Sequence, residues 1–187
     1  MKKFELTNEF IANRFGTKLF RIRALVEFGD VEAGELGGYV EKESNLGHDD
    51  NAWVYGNARV YGDALVYDNA RVYDNAWVYG DAQVSGDARV YGDAQVSGDA
   101  RVCGNGDYAY AHGFGSVNRT TTFFRLKDGG VGVRCGCFYG TLAQFRDKIR
   151  ETHGESAIAE EYLMLADLME LRFEEDENEV GNRKYVE

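Results

Sequence analysis

The chain has 187 residues, 44% of them hydrophobic, and a formal net charge of −11 at pH 7. This length and composition predict one large globular domain or two small ones. A negative charge of this size excludes general electrostatic binding to nucleic acid or to an anionic membrane, and it favours basic partners.

The N-terminal segment is too polar for a signal peptide, because Met1-Lys2-Lys3 runs directly into a segment rich in Glu, Thr and Asn. The sequence also contains no apolar run of about 18 residues, as a membrane-spanning helix would need. Cys103, Cys135 and Cys137 are an odd number of cysteines without the spacing of a disulfide scaffold. We therefore expect a cytoplasmic protein that does not contact a membrane.

Residues 1–51 are predicted to form an N-terminal β cap. Residues 18–26 and 36–40 have strand composition, and the segment between them carries turn residues. A solenoid needs its open ends covered, which is the expected role of this segment. Val40 followed by Ser44 has the spacing of a degenerate first coil, although Leu46 followed by Asp50 does not continue it cleanly.

Residues 52–105 consist of nine consecutive hexapeptides. They read AWVYGN, ARVYGD, ALVYDN, ARVYDN, AWVYGD, AQVSGD, ARVYGD, AQVSGD and ARVCGN. The Ala-x-Val triplet alternates as a strand does, and the Gly-Asp, Asp-Asn or Gly-Asn pair is typical of a turn. Hexapeptide periodicity is a signature of parallel β-helices.

The pattern resembles the left-handed β-helix hexapeptide family, in which an aliphatic residue is followed four positions later by a small one. Val54 and Ala58 show this spacing, as do Val60 and Ala64. The resemblance implies three hexapeptides per triangular coil, so that nine hexapeptides make three coils and residues 18 apart stack on successive rungs. We predict a mainly β protein: a left-handed parallel β-helix of three coils or more, with an N-terminal β cap and a small C-terminal hairpin plus two-helix region.

This arrangement predicts three walls with valine and alanine pointing inward and the residues on either side of each valine pointing outward. Wall one would present Trp53, Arg71 and Arg89 beside Tyr55, Tyr73 and Tyr91. Wall two would present Arg59, Trp77 and Gln95 beside Tyr61, Tyr79 and Ser97. Wall three would present Leu65, Gln83 and Arg101 beside Tyr67, Ser85 and Cys103, and is the least aromatic.

The turns between the walls are acidic, and Asp63, Asp81 and Asp99 are predicted to stack in one column at one corner. Asp and Asn tolerate turn dihedral angles, which gives these residues a structural role. Like charges at rung spacing repel, but each costs only modestly at an exposed site in water. A binding role for the column is the alternative.

The region after the repeats is predicted to contain a β extension over residues 106–140 and helices with an acidic tail over residues 141–187. Two strand-like segments flank Lys127-Asp128-Gly129-Gly130, which indicates a hairpin. Thr141 is predicted to cap one helix that ends at Gly154, and Ser156 to begin a second that runs to about Phe173. The apolar surface of the second helix is too wide for one buried face, which indicates clamping between elements or burial at a subunit interface.

Exposed Trp, Tyr and Arg on walls one and two are the most informative candidates for a binding site, because these residue types are enriched at interface hot spots. The alternative is that stacked tyrosines only stabilise the solenoid. The candidate partner-binding set is Trp53, Tyr55, Arg71, Tyr73, Trp77, Tyr79, Arg89 and Tyr91, together with Asp63, Asp81 and Asp99.

Catalytic residues, a metal site and a cofactor are not predicted. Many hexapeptide-repeat proteins resemble acyltransferases with a histidine base on the coil surface, but His48, His112 and His153 all lie outside the hexapeptides. Cys135 and Cys137 could bind zinc with Cys103 or His153, although buried structural thiols are the competing interpretation. Fold alone does not determine function, so an acyltransferase-like enzyme stays an alternative.

The segment 36–46, the hexapeptides and the segments 135–138 and 140–141 together resemble uncharacterised hexapeptide-repeat proteins of phages and prophages. The resemblance implies a β-helix with a small C-terminal domain and no established catalytic residues. We expect a non-catalytic protein that blocks a host protein, possessing an acidic and aromatic surface suited to a basic, nucleic-acid-binding partner. Alternatives are a nucleotide-sequestering protein and a structural oligomerisation stem, and a homo-oligomer is expected.

Overall fold

The computed structural model describes residues 2–115 and 117–178, and the side chains as far as Glu174. The chain divides into two compact units, the first ending at Tyr108 and the second beginning at Ala109.

The first unit begins with an antiparallel hairpin of β1 (Phe4–Ala12) and β2 (Lys18–Ala24), followed by β3 (Leu36–Val40). β2 ends two residues before the predicted boundary, whereas β3 has the predicted bounds. β1 was not predicted from the sequence. This strand is polar over much of its length and lies at the edge of its sheet, where it pairs with β2.

The hexapeptides form nine two-residue strands, one in each repeat. In chain order they are β4 (Trp53–Val54), β5 (Arg59–Val60), β6 (Leu65–Val66), β7 (Arg71–Val72), β8 (Trp77–Val78), β9 (Gln83–Val84), β10 (Arg89–Val90), β11 (Gln95–Val96) and β12 (Arg101–Val102). Wall one consists of β4, β7 and β10, wall two contains β5, β8 and β11, and wall three consists of β6, β9 and β12.

Every pairing between these strands is parallel and joins residues 18 apart, as in Arg59 opposite Trp77 and Val60 opposite Val78. The valines and alanines of the hexapeptides are all buried and form the core of the solenoid. The predicted β-solenoid and its inward columns are therefore confirmed.

One further coil precedes the hexapeptides, so the solenoid has about four turns. Val40 of β3 pairs with Val60, and Leu46 bridges to Val66. Both pairs are 20 residues apart instead of 18, which means that the corner after Leu46 holds two extra residues. The degenerate first coil indicated by Val40 and Ser44 is thus present, and the extra residues explain why Leu46 and Asp50 break the hexapeptide spacing. The left-handed sense of the coil stays a prediction.

Trp53 does not lie on the outer surface of wall one as the repeat pattern predicted. Its side chain is 0% exposed. The rings of Phe4 and Phe28 pack edge-on against it, with centroids 6.1 and 5.3 Å away. The cap covers the first rung of wall one, and this outward position therefore becomes part of a second hydrophobic core between cap and solenoid.

Lys3 fastens the start of β1 to the corner that holds the extra residues. Its Nζ donates hydrogen bonds to the backbone oxygens of Asp50, at 2.7 Å, and Ala52, at 2.9 Å. The ammonium group lies 4.6 Å from the ring centroid of Phe28. Burial lowers the pKa of Lys3 from 10.5 to about 8, although the charges of Asp50 and Asp49 act in the opposite direction.

The stability of the first unit is expected to rise with pH between 7.5 and 9.5. Unfolded Lys3 binds its proton more tightly than folded Lys3, so its charge opposes folding below pH 8 and this penalty declines as the pH rises towards 10.5. The gain over this window is about 2 kcal/mol in the free energy of unfolding. Urea denaturation at both pH values measures it.

Lys3→Met removes the titrating group and is the control for this experiment. The stability of Lys3→Met at a single pH is not informative, because this variant also loses the two hydrogen bonds of the Lys3 ammonium group. The quantity to compare is the change in stability between the two pH values. The prediction is wrong if Lys3→Met and the unmodified protein gain equally between pH 7.5 and 9.5. The window ends below pH 10 because Tyr55 has the opposite effect on stability above that pH. Burial, followed by a hydrogen bond to Asp30, raises the pKa of Tyr55 to about 12. Unfolded Tyr55 therefore loses its proton first, and the free energy of unfolding falls as the pH rises from 10 towards 12.

The second unit is a four-stranded sheet with two helices. The strands are β13 (Tyr108–Phe114), β14 (Arg119–Arg125), β15 (Val131–Cys135) and β16 (Phe138–Thr141), in that spatial order. The predicted hairpin is β14 and β15, with Phe123 opposite Val133. β13 and β16 were not predicted as separate strands, since their Gly and Tyr content gives no clear period of two.

α1 (Leu142–His153) begins and ends where predicted. The Thr141 hydroxyl accepts a hydrogen bond from the Gln144 N–H, and Gly154 follows the last turn with a φ of 58°. Leu142, Phe145 and Ile149 are buried, as expected.

α2 (Ala157–Asn178) extends five residues beyond the predicted end at Phe173. The acidic run Glu174–Glu179, predicted as a solvated tail, therefore begins within the helix, and Glu179 lies outside the described residues. Tyr162 and Met169 are buried, whereas Met164, Leu168 and Leu171 are each more than half exposed. The extra apolar residues thus face away from the core of this unit.

Neither α1 nor α2 is long and apolar enough to cross a membrane, as far as the chain is described.

Candidate functional site

Wall two is part of the longest sheet in the first unit. The sheet runs in the order β1-β2-β3-β5-β8-β11, so the antiparallel strands of the cap continue the parallel wall of the solenoid. Register places Arg21 opposite Tyr39, Tyr39 opposite Arg59, and Arg59 opposite Trp77. One outward column therefore alternates arginine with an aromatic residue across four strands.

Each arginine of this column stacks on the aromatic ring that follows it. The guanidinium carbon of Arg21 lies 5.2 Å from the ring centroid of Tyr39, and that of Arg59 lies 5.0 Å from the ring centroid of Trp77. Cation–π contacts of this geometry stabilise by about 0.5–1 kcal/mol at exposed sites and more where water is excluded. The stacking fixes the position of side chains that would otherwise be mobile.

A second aromatic column lies beside the first. The rings of Tyr61 and Tyr79 are stacked with centroids 5.0 Å apart and an interplanar angle of 2°, and Trp77 meets Tyr61 edge-on at 6.4 Å. We call the six residues of the two columns the ladder face: Arg21, Tyr39, Arg59, Trp77, Tyr61 and Tyr79.

The two arginines of the ladder face differ in their charge partners. Arg21 lies 3.5 Å from a carboxylate oxygen of Glu9, which also accepts a hydrogen bond from the Tyr39 hydroxyl at 3.0 Å. Arg59 forms no ion pair and no side-chain hydrogen bond with any residue that the structure describes, and its Nε is buried without a partner. Arg59 is therefore an uncompensated cation in the middle of an aromatic surface.

The backbone beneath the ladder face is held by regular hydrogen bonds between rungs. Arg59 N donates to Ala76 O at 2.9 Å, and Tyr61 N donates to Val78 O at 3.1 Å. A surface held in this way loses little conformational entropy when a partner binds.

Wall one, which carried most of the predicted binding set, is divided between contacts to the cap and a small exposed patch. Asp30 of the cap accepts a hydrogen bond from the Tyr55 hydroxyl at 3.0 Å and pairs with Arg71 at 2.8 Å. Burial by itself raises the pKa of the Asp30 carboxyl, but the hydrogen bond from Tyr55 and the charge of Arg71 hold that pKa below 3.8. Tyr55 and Arg71 are thus engaged within the unit.

Farther along wall one, Tyr73 and Tyr91 stack at 5.2 Å with an interplanar angle of 11°. Arg89 is exposed, and its side chain has no ion pair with a described residue. Of the candidates on wall one, this part is accessible to a partner.

The column of Asp63, Asp81 and Asp99 lies at the corner between wall two and wall three, and all three residues are exposed. Asp63 pairs with Lys42 of the first coil at 2.7 Å, which lowers its pKa. Within the described chain, the carboxylates of Asp81 and Asp99 form no hydrogen bond or ion pair. This column therefore borders the ladder face and is largely free of structural contacts.

Two other acidic residues of the turns have a structural role. Asp68 and Asp74 adopt positive φ angles of 57° and 59° where most hexapeptides have glycine. Their carboxylates accept hydrogen bonds from the N–H groups of Gly86 and Gly92 on the next rung, both at 3.1 Å. Asp tolerates this conformation when its side chain bonds locally, which explains these two substitutions for glycine.

The cap residues of the ladder face were not predicted from the sequence. Arg59 and Tyr61 were placed on wall two but not included among the binding residues, and Arg21 and Tyr39 were not considered. Only the 20-residue separation of Val40 and Val60 could have indicated that Tyr39 aligns with Arg59, and this separation departs from the repeat.

The cysteines and histidines do not converge on a metal site. Cys135, Cys137 and His153 line one cleft of the second unit, while Cys103 belongs to the first unit. No group of three His, Cys, Asp or Glu side chains suited to a metal ion occurs among the residues described. His48 lies in the corner with the extra residues, where its Nε2 is 3.0 Å from Glu43.

Comparison with known families identifies the repeat. Residues 52–68, 64–80 and 82–98 match the family model described as YdcK Beta solenoid repeat. A search of curated proteins found no match. All three matched segments lie within the nine hexapeptides that form the walls, in agreement with the β-solenoid fold of this region.

Proposed function

We propose that this protein is a non-catalytic binding protein and that a partner protein binds to the ladder face. The observation that carries the proposal is the position of Arg59, an unpaired cation stacked on Trp77 in the middle of an ordered aromatic surface. Trp, Tyr and Arg are the residue types most enriched at interface hot spots.

The form of the surface favours a protein over a small ligand. Strands in such a sheet lie about 4.8 Å apart, so the two columns extend over several rungs of one wall. Because the side chains stack on one another and the backbone is held between rungs, little ordering is needed on binding. A partner would present apolar side chains to Trp77, Tyr61 and Tyr79, and a carboxylate to Arg59.

The charge at the edge of the ladder face favours a partner with a basic rim. Asp81 and Asp99 have no contacts that neutralise them within the described chain, and the whole protein carries a net charge of −11. Complementary charge at a rim accelerates association more than it strengthens the final complex. The proposed partner is a basic, nucleic-acid-binding host protein. A phage origin and a cytoplasmic location belong to the same proposal and are supported by the resemblance and by three free cysteines.

Substitutions on the ladder face are expected to weaken partner binding by at least 30-fold. Arg59→Gln removes the unpaired cation and Trp77→Ala removes the ring beneath it, and hot-spot losses of this kind amount to about 2 kcal/mol or more. The partner is first isolated from host lysate with the unmodified protein and then titrated against each variant by calorimetry.

Arg89→Gln is the matched control, because Arg89 occupies the same hexapeptide position on wall one. This variant should change the dissociation constant by less than 3-fold. If Arg89→Gln abolishes binding and Arg59→Gln does not, the partner binds wall one and the proposal is wrong.

The acidic column is tested by replacing Asp63, Asp81 and Asp99 together with Asn. The proposal expects the association rate to fall about 10-fold at low salt with an unchanged melting temperature, since charges at a rim act mainly on the rate of encounter. An unchanged association rate would show that the partner has no basic rim facing this column. Binding of a partner to the ladder face would then still stand, but without the basic character proposed for that partner.

Self-association stays a prediction that the outer face of α2 supports. Met164, Leu168 and Leu171 form an exposed apolar stripe, as expected for a helix that packs against another copy.

A further inference from the structure

We infer that a cleft within the second unit binds a small aromatic anion, that is, a planar ring carrying a phosphate or carboxylate group. The inference does not depend on the function proposed for the ladder face, which belongs to the first unit. The cleft has a volume of about 540 Å³, and the lining residues that carry the argument are Arg119, Phe138, Phe145, Lys148, His153 and Tyr162.

Aromatic rings form the interior of this cleft. Phe138 and Phe145 have centroids 5.4 Å apart, and Tyr162 meets Phe145 nearly edge-on at 5.8 Å. The ring of His153 lies 6.0 Å from Tyr162 with an interplanar angle of 29°. A flat apolar ring can pack against such a cluster by offset or edge-to-face contact.

Two cationic side chains, those of Arg119 and Lys148, also line the cleft. Arg119 has no carboxylate within ion-pair distance among the residues that the structure describes. Lys148 pairs with Glu151 at 2.8 Å, an exposed contact that competes only weakly with a bound anion. In a chain of net charge −11, an arginine and a lysine at one aromatic cleft favour an anionic ligand.

Tyr162 adds a hydrogen-bond donor. Burial, followed by the neighbouring Cys135, raises the pKa of Tyr162 to about 12, so the phenol stays protonated at neutral pH and can donate to an anionic oxygen. The negative charge of Glu161 also acts on Tyr162, and the Glu161 carboxylate accepts a hydrogen bond from the Gly115 N–H at 3.1 Å. Glu161 is therefore partly occupied by a contact of its own.

The size of the cleft defines the ligand class more closely. Small-molecule sites usually have volumes of about 300–1,000 Å³, with apolar walls and few polar groups. The cleft can hold a ring with one charged substituent, as in a nucleoside monophosphate or an indole carboxylate. Both present the same chemistry, a flat ring for the aromatic cluster and an anion for Arg119.

The test is to titrate the whole chain with adenosine monophosphate, indole-3-carboxylate, adenosine and inorganic phosphate in separate experiments. Calorimetry and amide NMR measure the binding. At least one of the two aromatic anions should bind at least 10-fold more tightly than adenosine or phosphate. Which of them binds more tightly identifies the source of the anionic group. If inorganic phosphate binds as tightly as the aromatic anions, the cleft holds an adventitious ion only and the inference is overturned. Failure of both aromatic anions to bind would also overturn it.

Arg119→Gln is expected to weaken binding of the aromatic anion at least 10-fold, and Lys148→Gln by a smaller factor. Arg150→Gln is the matched control, because Arg150 lies on the same helix as Lys148 but does not line the cleft. Both arginines are exposed, so the folds of the variants should be intact, which a melting curve verifies. Equal affinity of Arg119→Gln and the unmodified protein would refute the inference.

Discussion

Trp53→Ala is expected to lower the free energy of unfolding by about 3–5 kcal/mol, the usual cost of truncating a fully buried aromatic side chain. The indole fills the space between Phe4, Phe28 and the first rung of wall one. Its loss leaves a cavity where the cap joins the solenoid. Denaturation in urea, followed by tryptophan fluorescence of Trp77 and by circular dichroism, measures the change.

Trp77→Ala provides the matched control, because Trp53 and Trp77 occupy the same position in hexapeptides that differ only in their last residue. Trp77 is partly exposed and contacts Arg59 and Tyr61 at the surface. Its replacement is expected to cost about 1–2 kcal/mol, since part of the ring already contacts water. Equal losses in the two variants would show that the cap does not enclose Trp53.

Gly38→Ala is expected to destabilise the protein by about 1–3 kcal/mol through steric overlap. A Cβ at this position would lie 2.7 Å from the backbone oxygen of Ala58 and 2.7 Å from Cγ1 of Val54. The Ala58 oxygen also accepts the hydrogen bond from Tyr39 N at 2.9 Å, which joins β3 to the solenoid. The substitution therefore affects the first coil, and a lower urea midpoint should reveal it.

Gly104→Ala is the control for the intrinsic effect of replacing glycine. Gly104 has an extended φ of −154°, and a Cβ there would meet nothing within 4 Å. This variant should unfold at the midpoint of the unmodified protein or slightly above it. If Gly38→Ala also unfolds at the urea midpoint of the unmodified protein, β3 does not lie as close to the solenoid as the structure places it.

Local pattern was sufficient to predict most of the secondary structure. The Ala-x-Val triplets predicted nine strands and their buried columns, because each hexapeptide has the same alternation and the same turn. Thr141 and Gly154 predicted the bounds of α1, since capping depends on a few neighbouring residues. The polar strand β1 was missed because it is recognisable mainly through its pairing with β2.

The candidate site was predicted less well than the fold. Trp77 and Tyr79 were correctly placed on the outside of wall two, but Trp53 was placed outside by the same rule and is buried. The alternation within each hexapeptide predicts whether a side chain points into the solenoid or out of it. It does not predict which other residues cover the outer side.

The sequence by itself determined that a solenoid forms, which residues lie inside it and where turns occur, because these properties depend on a period of six that every repeat contains. Only the tertiary structure decided which outward residues meet water and which arginines lack an ion pair among the described residues. The cap buries Trp53, engages Tyr55 and Arg71 through Asp30, and aligns Arg21 and Tyr39 with Arg59. Apart from the contact of Arg21 with Tyr39, these contacts join residues about 20 to 50 positions apart across a corner with two extra residues, so no repeat period could indicate them.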